Sequence, residues 1–167
     1  AANTTGKPLD IDDVFSTYLY EGTGSAQTIT NGIDLDGEGG LVWTKERGAS
    51  GDNNLIDTVR GATKRIRSDQ SGAESTKSDS ITSFENDGYN LSTDAAWNNS
   101  GDTFVSWTFR KAPKFFDVVT YTGTGSAQNI SHSLGSVPGM VVVKRTSAAE
   151  NWLVYHRSTG NQAGTGL

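Results

Sequence analysis

One segment of this chain is written twice. Residues 20–30 read YEGTGSAQTIT and residues 121–131 read YTGTGSAQNIS, with eight of eleven positions identical. A repeat at a fixed distance means that two stretches should build the same supersecondary unit, and that neighbouring units should pack on one another. The likeness continues with gaps. Gly40-Leu41-Val42-Trp43-Thr44-Lys45 answers Gly139-Met140-Val141-Val142-Val143-Lys144, and Asn54-Leu55-Ile56 answers Trp152-Leu153-Val154. A unit therefore starts near residue 18 and again near residue 117. The second copy reaches only GNQAGTGL, so it is expected to be partial, with the polypeptide continuing beyond Leu167.

Within the repeat the pattern is that of strands and turns. The clearest strand is Phe104–Arg110, where Phe104, Ser106, Thr108 and Arg110 share one face and Val105, Trp107 and Phe109 the other. Thr17–Tyr20, Gln27–Thr30, Leu41–Lys45, Phe116–Tyr121, Met140–Lys144 and Trp152–His156 are further short β-rich runs. Between them lie Asn31-Gly32, Asp36-Gly37 and Asp87-Gly88, dipeptides that accept the positive φ of tight turns. Gly is high, at 20 residues of 167, and only 34% of the chain is hydrophobic. These features predict an all-β protein. An antiparallel β-sandwich-like unit over residues 17–112, with Trp107 inside, is followed by a partial second β repeat over 113–167. The polar stretch SDQSGAESTKSDS over 68–80 has no period and is expected to be a loop.

Residues 1–16 differ in character. They carry few apolar residues before Ile11, and Lys7 precedes a proline, which favours extended backbone. Asp10, Asp12 and Asp13 surround Ile11, Val14 and Phe15. An extended arm that anchors the chain to another protein is expected here, with these residues and Lys7 making the contact.

The chemistry on offer is sparse. There is no Cys, which excludes disulfides, thiolate zinc sites and cysteine nucleophiles. No run approaches the ~18 apolar residues of a membrane helix, and the N-terminus lacks the basic and apolar regions of a secretory signal. The net charge of −5 argues against a general nucleic-acid binder. One basic octet, RGATKRIR at residues 60–67, is expected to be solvated or to meet acidic neighbours. Of the two histidines, His132 sits in a Ser-rich turn and His156 at a strand end, with no nucleophile elbow for a serine hydrolase. Asp34-Leu35-Asp36-Gly37-Glu38-Gly39 resembles the opening of a calcium loop, but its twelfth position is Lys45 where a bidentate Glu is required. No metal, no cofactor and no catalytic residue is expected. One side chain invites a ligand: Trp97, flanked by Asn98 and Asn99 in a polar segment, has the make-up of a sugar-stacking site, although it equally suits a cap on the sandwich.

The motifs DVFSTYLYEGTG (13–24), NGIDLDGEGGLVWTK (31–45), DTVRG (57–61), FENDGYNL (84–91), NNSGDTFVSWTFR (98–110) and FDVVTYTGTGSAQNISHSLGSVPGMVVVKR (116–145) occur in this order. The series resembles tail-fibre-like structural proteins of marine tailed bacteriophages, which carry repeats of a β domain of unknown function. The resemblance implies a non-enzymatic virion component, a tail fibre or tail-associated protein that attaches to the particle and contributes to host attachment. Its partners would be other virion proteins and further copies of itself, a homotrimer being what tail fibres suggest, with host surface polysaccharide as a further partner. A carbohydrate-binding module and a capsid-attached fibre or decoration protein are the alternatives.

Overall fold

The computed structural model describes residues 8–161. The chain enters through a single 3₁₀ turn, Ile11–Asp13, capped by Asp10, whose carboxylate accepts the Asp12 N–H at 3.2 Å. Nine strands follow in the first unit: β1 (Phe15–Glu21), β2 (Gln27–Thr30), β3 (Gly40–Glu46), β4 (Asn53–Asp57), β5 (Lys64–Arg67), β6 (Ser75–Thr76), β7 (Ile81–Glu85), β8 (Gly88–Leu91) and β9 (Thr103–Arg110). One short helix, α1 (Ala95–Asn98), precedes β9.

All pairings are antiparallel, and they make two sheets: a six-stranded one in the order β1-β9-β3-β4-β5-β6 and a three-stranded one in the order β2-β8-β7. The two face each other as a β-sandwich. Ile29, Tyr89, Leu91 and Ile81 from the smaller sheet meet Val42 and Ile56 from the larger, and Ile33, Leu35 and Trp97 complete the cluster. The strand alternation behind this packing was legible in the sequence, and β2, β3 and β9 lie where expected within a residue at each end.

The face that turns inward is the one the aromatic residues did not advertise. Antiparallel partners project to the same side, so the register sets Phe104, Ser106 and Thr108 of β9 beside Val42 and Thr44 of β3, and Asn54 and Ile56 of β4, all fully or almost fully buried. Trp107 is on the other side. It is half-buried on the outer face, in a cross-strand row Thr17, Trp107, Trp43, Leu55, Ile66, and meets the Trp43 ring edge-on at 5.7 Å. The expectation that Trp107 fills the interior is thus corrected. Alternation says which residues share a face, but here the face toward the core is the more polar one.

The second copy is different. Its hairpin forms: β10 (Met140–Val143) pairs with β11 (Leu153–His156), and β12 (Gly160–Asn161) adds a third short strand. The register matches β3–β4 at a constant shift, Trp43 opposite Leu55 in one copy and Val142 opposite Val154 in the other. The Thr58 N–H bonds the Gly40 carbonyl at 3.0 Å, and the Arg157 N–H bonds the Gly139 carbonyl at 2.9 Å. Leu55 therefore corresponds to Val154, one residue away from the gapped sequence match. The expected strand Phe116–Tyr121 does not form among the described residues; Phe116 makes one isolated bridge with Ala112. Its counterpart β1 is a strand because β9 pairs along its whole length, and no counterpart of β9 lies among the described residues of the second copy.

The 68–80 stretch is irregular except for Ser75-Thr76, which pairs with Lys64-Arg65. Basic residues of the 60–67 octet meet acids: Arg60 bonds Asp57 and Glu74, and Arg67 bonds Asp52 at 2.7 Å.

These burials set a mutational ranking. Trp97→Ala, which removes a ring 1% exposed, should destabilise the first unit by about 3–5 kcal/mol. Trp107→Ala should cost less, because its ring already touches solvent. Urea unfolding of the two variants checks this, and the opposite order would mean that the outer face carries more of the stability than the sandwich interior.

Candidate functional site

The segment Asp94–Asn99 was the sequence's best candidate for binding, and the structure turns it inward. The Asp94 carboxylate caps α1 by accepting the Ala96 N–H at 2.9 Å and pairs with Lys77 at 3.1 Å. That cap starts the single helical turn and aims Trp97 into the core, 1% exposed. Arg65 lies over the indole, 5.8 Å from its centroid. A ring so placed cannot stack on a sugar, and the glycan reading of Trp97 is corrected: it caps the sandwich.

Asn98 is fully buried and does something else. Its Oδ1 accepts from the Thr23 N–H at 2.8 Å and from Gln27 Nε2 at 2.6 Å. Its Nδ2 donates to the carbonyls of Ser25 and Ser92, each at 2.6 Å. Its own carbonyl accepts the Gly24 N–H at 2.7 Å. A side-chain amide has two donors and one oxygen with two lone pairs, and here each finds a partner. Asn98 therefore clasps the repeated GTGSAQ turn to the α1 end of the unit. Close approach is part of the clasp, since a Cβ on Gly22 would collide with the Asn99 carbonyl. Alongside, Tyr20 donates its hydroxyl to the Trp97 carbonyl at 2.9 Å. Burial, with the neighbouring Tyr89, holds that phenol far above its ordinary ionisation range, so it stays a donor. Only Asn99 of the expected trio faces solvent, where it bonds Asp102 at 2.6 Å.

The residues expected to anchor the chain divide. Lys7 lies outside the described residues. Ile11, Asp12 and Asp13 are exposed, with Asp10 serving as their cap. Val14 is fully buried and its carbonyl accepts the Arg110 N–H at 2.8 Å. Phe15 opens β1 against the Phe109 ring at 4.9 Å. Val14 and Phe15 thus belong to the first unit rather than to the expected arm.

Other candidates resolve into local structure. Asp34 accepts the Gly37 N–H at 2.7 Å, an Asx-type turn rather than a calcium loop. No group of three or more His, Cys, Asp or Glu among the described residues is placed to hold a metal ion, and no helix among them is long and apolar enough to cross a membrane. His132 and His156 accept backbone N–H groups two residues on. An open groove of about 350 Å³ lies where the second copy begins, lined by Val59, Lys111, Asp117, Val119 and His132 among others. Asp117, whose side chain is 5% exposed, bonds Lys111 at 3.1 Å and accepts the Ser133 N–H at 2.6 Å. Burial opposes its ionisation, yet the Ser133 amide, the Lys111 ammonium and the Val118 amide outweigh it and hold the carboxyl below its ordinary value.

Two measurements follow from this geometry. Asn98→Ala strands several buried partners, each worth about 1–3 kcal/mol; it should destabilise the unit by at least about 3 kcal/mol in thermal or urea unfolding. Asn99→Ala should stay within about 0.5 kcal/mol. A carboxyl with a lowered folded-state pKa stabilises above its unfolded value of about 3.9, and that contribution is lost as pH falls through the folded value. An NMR titration should therefore place the Asp117 midpoint below about 3.9, with the Ser133 amide moving in step. A midpoint at the ordinary value would mean that the contact is not kept in solution.

Neither a curated protein nor a solved structure matches the chain. One family model does, over residues 10–166, a span that takes in both copies of the repeat. The chain belongs to that family, described as Domain of unknown function (DUF7483).

Proposed function

We propose that this chain is a structural component of a bacteriophage virion appendage, a tail fibre or tail-associated protein, with no catalytic role of its own. The observation that carries the reading is the ordered series of motifs from residue 13 to residue 145, which resembles tail-fibre-like proteins of marine phages. The physical picture is in keeping with it. The polar side chains of greatest interest, Asn98, Asp94 and Arg60, are engaged in holding turns and strands together. An elongated particle appendage needs a scaffold of this kind, made of repeated β units. In this reading the exposed Ile11–Asp13 segment contacts another virion protein, and copies of the chain associate with one another, three-fold symmetry being what tail fibres imply. The β1 strand is an edge of the larger sheet with Leu19 57% exposed, and such an edge suits pairing across a symmetry axis.

Electron microscopy of particles labelled with an antibody to this chain tests the assignment. Label on the tail is the expected result. Label on the head would favour a capsid decoration protein, and its absence from purified particles would end the proposal. Deleting residues 1–13 should leave the sandwich folded, since Val14 onward carries the packing, but abolish incorporation into particles. Mass measurement of the purified chain checks the subunit number.

A further inference from the structure

The two hairpins that correspond in the repeat differ at one cross-strand pair. β3 and β4 set Thr44 opposite Asn54, and the constant shift between the hairpins sets Val143 opposite Leu153 at the corresponding places. The same pair is polar in the first copy and apolar in the second. In the first copy the polar row extends further, because Thr44 also faces Ser106 of β9. Ser106, Thr44 and Asn54 thus cross three strands on the inner face of the larger sheet, each 1% exposed or less. From the smaller sheet Tyr89, also fully buried, brings its phenol close to the Ser106 hydroxyl.

Four polar atoms meet here unpaired. Thr44 Oγ1, Ser106 Oγ, Tyr89 Oη and Asn54 Oδ1 have no hydrogen-bond partner among the described residues. Their neighbours are committed elsewhere: Asn54 Nδ2 donates to the Asp52 carbonyl at 3.3 Å, and the Tyr20 hydroxyl to the Trp97 carbonyl at 2.9 Å. An unpaired buried polar atom is costly, and four in adjacent positions call for a shared partner. Burial raises the Tyr89 phenol well above its ordinary range, so it stays protonated. The group therefore offers three O–H donors and an amide oxygen that only accepts. No carboxylate or imidazole is among them, so the set does not suit a metal ion. Water suits it, with two donors and two lone pairs, since an internal water typically bonds about three buried polar groups.

We propose that the interior of the first unit holds a structural water site centred on Thr44, with Ser106, Tyr89 and Asn54 as its other ligands. The row from Ser106 to Asn54 spans two strand spacings, ~10 Å, more than the ~6 Å that one water bridges. Two molecules fill it, one shared by Ser106, Tyr89 and Thr44, the other by Thr44 and Asn54. They tie β9, β3 and β4 to the smaller sheet where apolar contact alone does not. The second hairpin carries no such site, because Val143 and Leu153 have no side-chain group to bond. The two copies of the repeat therefore differ in kind at this position, one hydrated and one dry.

Oxygen-17 magnetic relaxation dispersion on the full chain counts its long-lived internal waters and reads the site directly. Thr44→Val combined with Asn54→Leu gives the first copy the residues of the second, and should lower the count by at least one. Thr44→Ser keeps the hydroxyl and should leave the count unchanged. Urea unfolding adds an independent measurement. Thr44→Val alone should lower the folding equilibrium constant at least about fivefold, since it deprives the water and its remaining ligands of a partner. A rise in that constant would mean that the Thr44 hydroxyl has no partner at all, and would overturn the proposal. So would an unchanged water count in the folded double variant, because the side chains would then bond one another directly. If the double variant does not fold, the count in Thr44→Val set against that in Thr44→Ser decides in the same way.

Discussion

The first unit depends on one insertion, that of β9 between β1 and β3. Every residue of β9 is paired on at least one side, and the strand supplies Phe104 to the interior and Trp107 and Phe109 to the outer face. It is also the last strand of the unit, so the six-stranded sheet stays divided until residues 103–110 arrive. Pairing of β1 with β9 closes a loop from Phe15 to Phe109, a long-range contact of the kind that makes β folds slow to form. The α1 turn ahead of β9 delivers Trp97 and Asn98 in the same stroke, one to the apolar cluster and the other to the turn after β1. Closure of the sheet, capping of the sandwich and fixing of the repeated turn thus all depend on one contiguous segment, residues 95–110.

The interior that results is unusually mixed. Thr44, Asn54, Ser106 and Thr108 line the inner face of the larger sheet, all fully buried or nearly so. Asn31 reaches in to donate to the Thr108 hydroxyl at 2.8 Å. This accounts for a sandwich built from a chain that is only 34% hydrophobic. Threonine and serine keep the shape of small β-strand residues, and the apolar cluster is concentrated where the smaller sheet lies, around Ile29, Ile81, Tyr89 and Leu91. It also explains why reading faces from aromatic content fails here, since Trp107 and Phe109 cover the outside.

Much of the architecture was legible from residue types alone. The repeat, the all-β class and half of the strands (β1, β2, β3, β9, β10 and β11) follow from alternation and turn dipeptides, both of which are local properties, whereas β4 to β8 did not stand out. Trp97 was read less well, because the residues that follow it in sequence, Asn98 and Asn99, are polar while its neighbours in space are Ile, Leu and Tyr. The pairing of Gln27 with Asn98 joins residues far apart in the chain, and no spacing rule connects them. The segment after Phe116 shows the same limit from the other side. Its composition is that of a strand and nearly that of β1, yet a strand needs an edge to pair with, and the residues themselves do not say whether one is present. The Asp10–Phe15 stretch was split by a single fact, the burial of Val14, which the cluster of acids just before it concealed.

The junction between the copies is held by more than the chain that joins them. The Trp152 indole donates to the carbonyls of Arg67 and Gln70 at 2.9 and 3.1 Å, and Lys144 reaches the Ser71 carbonyl at 3.1 Å. Backbone bonds run both ways across the same seam, Glu74 N–H to Thr146 at 2.9 Å and Glu150 N–H to Ser71 at 2.8 Å. A single covalent connection at Ala112–Lys114 would leave the copies free to swivel. A second seam along residues 67–74, remote in sequence from that connection, removes the swivel and sets one angle and one advance per copy. A longer series of such copies would then bend as a stiff filament with a built-in helical pitch, and its persistence would be decided by the loop between β5 and β6, the stretch that looks least structured of all.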